Sequence, residues 1–109
     1  MPAPDALSLI GRLGIAEQMK RKTTLVPSGY VAELVARGEV AIGAQQVSEL
    51  VTVKGVDVTP LPAELQHVIV FSAGLAATPV SPAAVDALVK FLTAPDAAAA
   101  YGAKGLDPA

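Results

Sequence analysis

The chain has 109 residues, no cysteine, and eight Lys or Arg against ten Asp or Glu, a formal charge of −2. A chain of this size carries one domain with an adequate core and needs neither disulfide nor metal to fold. The absence of cysteine excludes thiol catalysis, zinc–thiolate sites and iron–sulfur ligation, and without a basic excess nucleic acid is an unsuitable partner. Apolar residues at 52%, charged residues at 17% and a mean hydropathy of +0.51 exclude disorder. No apolar run reaches the roughly 18 residues of a membrane span, since the longest, residues 68–77, is interrupted by Ser72 and Gly74. The start, Met-Pro-Ala-Pro-Asp, lacks the basic residues and apolar stretch of a secretory signal. The expectation is therefore a cytoplasmic chain, or one whose export signal lies outside this sequence.

In chain order, Ala6, Leu7, Ile10 and Leu13 recur at helical spacing, predicting a short helix over 5–13 that Gly11 and Gly14 limit. A second short helix is predicted over 15–22, with Lys20, Arg21 and Lys22 at its end, where cations suit the helix dipole. Residues 23–26 are β-branched and alternating and read as a strand. Pro27-Ser28-Gly29 then forms a turn whose Ser28 can cap a helix over 30–37, and Gly38 stops that helix. The apolar run 40–44 fits a strand buried on both sides, and the polar stretch after it, from Gln45, leads into a single helical turn. Residues 56–58 read as a strand inside an extended connection with Pro60 and Pro62, and 67–75, with Val68, Ile69, Val70 and Phe71, as a central strand. Ser81 followed by Pro82 marks a helix start whose stripe is Val85, Leu88, Val89 and Leu92. A final helix restarts at Thr93 and Pro95 and runs to about Tyr101. The alternation of helices and strands predicts an α/β, three-layer helix/sheet/helix architecture in a single domain over residues 1–109.

Catalytic constellations are scarce. His67, the one histidine, stands at the entry to an expected strand with no serine or carboxylate in a recognisable motif, and reads as an ordinary edge or surface histidine. No His or carboxylate pair has metal-ligand spacing, and glycine-rich phosphate loops are missing. Asp86 and Asp96 read as capping charges at helix starts. What stands out is that two strand ends run into polar turns, Pro27-Ser28-Gly29 and Gln45-Gln46. Ligands of open α/β sheets sit beyond the carboxyl ends of strands, where helix amino termini present unpaired N–H groups. Ser28, with the amides of Gly29, Tyr30 and Val31, and the carboxamides of Gln45 and Gln46 form a candidate site of uncharged donors. The bland alternative makes Ser28 only a cap and the glutamines only a solvated loop.

Several runs carry a family resemblance: Lys22-Thr23-Thr24-Leu25-Val26-Pro27, then Val31-Ala32-Glu33-Leu34-Val35-Ala36-Arg37-Gly38-Glu39-Val40-Ala41-Ile42-Gly43-Ala44-Gln45-Gln46, then Pro60-Leu61-Pro62, Phe71-Ser72-Ala73-Gly74 and the ending Lys104-Gly105-Leu106-Asp107-Pro108-Ala109. Together they resemble the molybdate-type extracellular solute-binding proteins of ABC importers, over nearly the whole chain from about Ala6 onward. The resemblance implies one lobe of a type II periplasmic-binding fold, the second lobe, and a tetrahedral oxyanion held by neutral donors. No cofactor is expected, and no enzyme, because one histidine and scattered carboxylates supply no acid, base and nucleophile set. Val31 matches a position whose backbone serves the oxyanion, whereas Gln46 stands where the molybdate binders use a tyrosine. Family members are roughly twice as long, so half of the cleft is expected to be missing and anion binding by this chain alone to be weak. Periplasmic location, and an ABC permease as partner, follow only for a complete binding protein.

Without a first lobe, the stripe Val85, Leu88, Val89 and Leu92, with Phe91 beside it, must turn inward or cover a second copy of the chain. A homodimer is expected on that ground, with or without exchange of elements between copies. The competing reading is a non-binding, homo-oligomeric interaction module that keeps the fold without the ligand.

Overall fold

The structure, a computed structural model, describes residues 4–108. They fold into six helices: α1 Pro4–Arg12, α2 Ala16–Lys20, α3 Val31–Ala36, α4 Val47–Leu50, α5 Pro82–Thr93 and α6 Pro95–Ala103. The chain divides into two compact units, Met1–His67 and Val68–Ala109.

In the first unit α1 packs on α2; Ala6, Leu9, Ile10, Ile15 and Met19 are half-buried, whereas Leu7 and Leu13 of the expected stripe are exposed. The guanidinium of Arg12 donates to the Glu64 carbonyl at 2.9 Å, tying the end of α1 to the turn that Leu65 and Gln66 make on Pro62. Helix α3 supplies Ala32, which at 1% exposure is the one hydrophobic residue fully buried among the described residues. The helix ends in a Schellman motif. Gly38 adopts φ 74°, its N–H donates to the Val35 carbonyl, and the Glu39 N–H donates to that of Leu34, both at 2.9 Å. The Glu39 carboxylate accepts from Arg37 Nε at 2.6 Å, which holds the Arg37 pKa above its ordinary value, mainly through that hydrogen bond.

In the second unit α5 packs on α6, and the Tyr101 hydroxyl donates to the Leu92 carbonyl at 2.7 Å. Pro82 and Pro95 each occupy the first turn of their helix, where a missing N–H costs nothing. Neither helix contains a fully buried residue.

The helices match the sequence pattern closely; the sheet does not. Among the described residues there is no strand, so the expected three-layer α/β lobe of the type II periplasmic-binding kind is overturned. Residues 23–26, 40–44, 56–58 and 67–75 are irregular. A strand exists only when a neighbouring segment accepts its backbone N–H groups and donates to its carbonyls, and no two of these segments are laddered. Nor is 40–44 covered on both sides: Val40 and Gly43 are half-buried, while Ile42 is 86% exposed.

Two expected caps are also corrected. The residue at the N-cap of α3 is Tyr30, with no side-chain cap, so Ser28 caps nothing, because the turn places it two residues too early. Ser81 holds the N-cap position of α5 without making the side-chain bond. Asp86, read as a capping charge, lies beyond the first turn of α5 and pairs with Lys90 at 2.8 Å instead. Asp96 does lie in the first turn of α6.

One stability prediction arises here. Gly11 sits within α1 with open space where a Cβ would stand, so Gly11→Ala should stabilise by about 0.5–1 kcal/mol. A melting curve that shows no rise, or a fall, counts against helical packing of α1 as described.

Candidate functional site

Residues 40–44 run alongside α3 because position 43 is glycine. An added Cβ there would stand 2.5 Å from Val31 Cγ1 and 3.1 Å from Val35 Cγ2, closer than side-chain atoms pack. The segment can therefore approach the helix directly, and this close approach delivers the next residues to the amino end of α3.

Gln45 makes the connection. Its Oε1 accepts the Val31 N–H at 2.8 Å, and its Nε2 donates to the Gly29 carbonyl at 3.2 Å. One planar carboxamide thus satisfies a donor and an acceptor two residues apart and clasps the two polar turns together. Gly29 itself adopts φ 87°, a conformation that suits glycine at the bend. Of the six residues singled out from the sequence, Gly29, Val31 and Gln45 are brought into direct contact, with Ser28, Tyr30 and Gln46 as their chain neighbours.

The clasp divides these groups by availability. The Val31 amide, the Gly29 carbonyl and the Gln45 oxygen are engaged with one another. Among the described residues, the Ser28 hydroxyl, the amides of Gly29 and Tyr30 and the Gln46 side chain make no hydrogen bond. Ser28 and Tyr30 are exposed and Gln46 is half-buried at the start of α4. Every available donor is uncharged, and the charges on the two following helices are acidic, Glu33 in the first turn of α3 and Glu49 in that of α4. Such donors offer hydrogen-bond geometry rather than charge neutralisation.

Two features escaped sequence reasoning. The clasp role of Gln45 depends on side-chain direction, which composition does not encode. The small-residue pair Gly43-Ala44 ahead of it is the signal that could have found the close approach to α3. The other concavity described, an apolar hollow of ≈ 300 Å³ between α5 and α6 walled by Phe91, Leu92, Ala97 and Tyr101, has Asp96 as its charged group and offers no converging donors. Groups of three or more His, Cys, Asp or Glu suited to a metal ion are absent among the described residues, and no helix there is long and apolar enough to cross a membrane.

Comparison with known proteins places this geometry in context: residues 3–107 match the bacterial extracellular solute-binding protein family. The chain belongs to that family. A relative from a Pseudomonas species, named aconitate isomerase, is 35% identical over 101 residues. The match takes in 92% of this chain, which spans 38% of the length of that relative. No solved structure gives a significant match. The family assignment bears out the resemblance to extracellular solute-binding proteins read from the sequence, and leaves the molybdate type of that resemblance aside.

Proposed function

We propose that this chain contributes one wall of a binding site for a small solute, formed by Ser28, Gly29, Tyr30, Val31, Gln45 and Gln46 as part of a single lobe. The observation that carries the reading is the Gln45 clasp. It fixes two turns side by side while leaving uncharged donors on both of them without a protein acceptor. With Ser28 shown not to cap α3, its hydroxyl is spare for a ligand, and the bland reading of that residue loses its support.

A small oxyanion of the molybdate type fits donors of this kind, because a tetrahedral anion can accept several short N–H and O–H bonds without a counterion. A small carboxylate is the second reading, favoured by the printed name of the Pseudomonas relative. That name denotes an enzyme. The site here has no acid, base and nucleophile set, however, so the proposed activity is binding, as in the family to which the chain belongs. Within a complete binding protein of this family the partner would be an importer permease and the location extracytoplasmic.

A thermal-shift panel of molybdate, tungstate, sulfate, phosphate and small carboxylates, aconitate among them, tests the reading. A solute present at ten times its Kd stabilises by about 1.4 kcal/mol. The 109-residue chain should respond only at concentrations well above micromolar; a micromolar titration would overturn the weak-binding reading. Ser28→Ala should leave stability within about 0.5 kcal/mol of the native chain and weaken the responding solute roughly two- to tenfold, the effect of one lost neutral hydrogen bond. An unchanged affinity would remove Ser28 from the site.

The same reading includes a homodimer. Leu88 and Phe91 of the α5 stripe are 58% and 71% exposed, and contiguous apolar surface of this kind is characteristic of an interface.

A further inference from the structure

We propose that residues 68–78 are a processing site, cut at the Phe71–Ser72 or the Leu75–Ala76 bond by an endoprotease with an apolar specificity pocket. The proposal goes beyond solute binding and rests on different residues. Every residue from 66 to 78 is exposed, with Phe71 at 69% and Leu75 at 60%. Among the described residues, no backbone N–H or carbonyl of residues 68–80 takes part in a hydrogen bond. Extended peptides are held by their recognition proteins through main-chain hydrogen bonds, with pockets for side chains supplying specificity. This segment offers both without first unfolding. Ser72, Ala73, Gly74, Ala76 and Ala77 around the two bonds are small and uncharged, so they put nothing bulky between the backbone and such a groove.

The sequence also selects the class of enzyme. No Lys or Arg lies between Lys54 and Lys90, so a protease whose pocket holds a carboxylate for basic residues finds nothing to read there. An apolar slot takes Phe71 or Leu75. In the cut, water adds across the amide. The C–N bond between Phe71 and Ser72 breaks, the Phe71 carbonyl carbon becomes a carboxylate, and the Ser72 nitrogen leaves as a new amino terminus.

Other apolar bonds are worse substrates although their side chains are exposed. Leu88 and Phe91, at 58% and 71%, lie in α5, and Tyr101 lies in α6, where the backbone is bonded within the helix. The carbonyl before Tyr30 and the N–H after it are held by Gln45. Leu61 precedes Pro62, whose ring leaves no N–H. Leu25 is exposed too, but Val26 beside it is half-buried. The segment opens the second compact unit, ahead of α5, so a cut there leaves α1 with α2 on one product and α5 with α6 on the other. All six candidate binding residues stay on the amino-terminal product.

The test is limited digestion of the 109-residue chain with chymotrypsin, read by the masses of the first products. The first cut is expected after Phe71 or Leu75, about tenfold or more faster than after Phe91 or Tyr101, because a helical bond is cut only in the fraction of molecules whose turn has opened. Replacing both apolar residues, Phe71→Ser with Leu75→Ser, should slow that first cut about tenfold or more by emptying the pocket. Ser72→Pro with Ala76→Pro keeps both apolar side chains and should slow it likewise by blocking the bonds. Circular dichroism should show native helix in both double variants, as expected of changes at exposed, unbonded positions. First products ending at Leu25, Tyr30 or a helical residue overturn the proposal. So does a first cut that neither double variant slows, or one no faster than the cuts within the helices.

Discussion

Gly43→Ala should lower stability by about 1–3 kcal/mol, a drop in melting temperature on the order of 10 °C for a chain of this size. The sign is not obvious from the residue types. Gly43 is absent from the positive-φ glycines, so alanine is conformationally acceptable there and would ordinarily stabilise by about 0.4–1 kcal/mol through the unfolded state. Space decides against it, since the new methyl would lie 2.5 Å from Val31 Cγ1 and 3.1 Å from Val35 Cγ2. Both neighbours are valines on a helix, held in essentially one χ1 rotamer, and neither can swing clear. The backbone N–H of Val31 is in addition fixed by Gln45. Residues 40–44 must therefore lift off α3. Pairing the change with Val31→Ala removes the closer methyl, and a double-mutant cycle should recover 0.5 kcal/mol or more of coupling, about the least seen for touching residues. If Gly43→Ala melts with the native chain, the segment does not pack on α3 as described.

The helices were legible because the signals that start and stop them are local. Pro82 and Pro95 open α5 and α6, and Gly38 closes α3 with the left-handed turn that glycine permits. Each of the six helices overlaps or adjoins a segment expected to be helical, although α1 begins one residue early, α6 runs on to Ala103, and the single turn expected after the polar stretch forms within it, at Val47–Leu50. The strands fail for the opposite reason. Val68 to Phe71 has every compositional mark of a strand, but being a strand is a relation between two segments. Composition reports the propensity and is silent on the presence of a neighbour. The candidate site lay between these cases. The two turns were identifiable from their polar residues, and their adjacency follows from a single side chain whose reach across 14 and 16 positions is not a local property. The divided roles of the glutamines, one clasping and one spare, came from geometry alone.

Gln45→Ala should be the most damaging single change at the candidate site. It deletes the 2.8 Å bond from the Val31 N–H and the 3.2 Å bond to the Gly29 carbonyl together. The Val31 amide at the amino end of α3 is left without its acceptor. Two net hydrogen bonds are together worth about 1–3 kcal/mol of stability, and the Val31 amide should exchange with solvent markedly faster than in the native chain. Gln45→Glu should fall between the two. Its carboxylate still accepts from Val31, yet when ionised it cannot donate to Gly29 and sets an oxygen against that carbonyl. Gln46→Ala is the contrasting case: its side chain bonds to no described residue, so the variant should melt within about 0.5 kcal/mol of the native chain. Any solute response found for the native chain should nevertheless weaken in both, in Gln46→Ala through a lost donor and in Gln45→Ala because the turns part. A Gln45→Ala chain with native melting and native Val31 exchange would mean that the carboxamide does not hold the turns, and the proposed site would lose its frame.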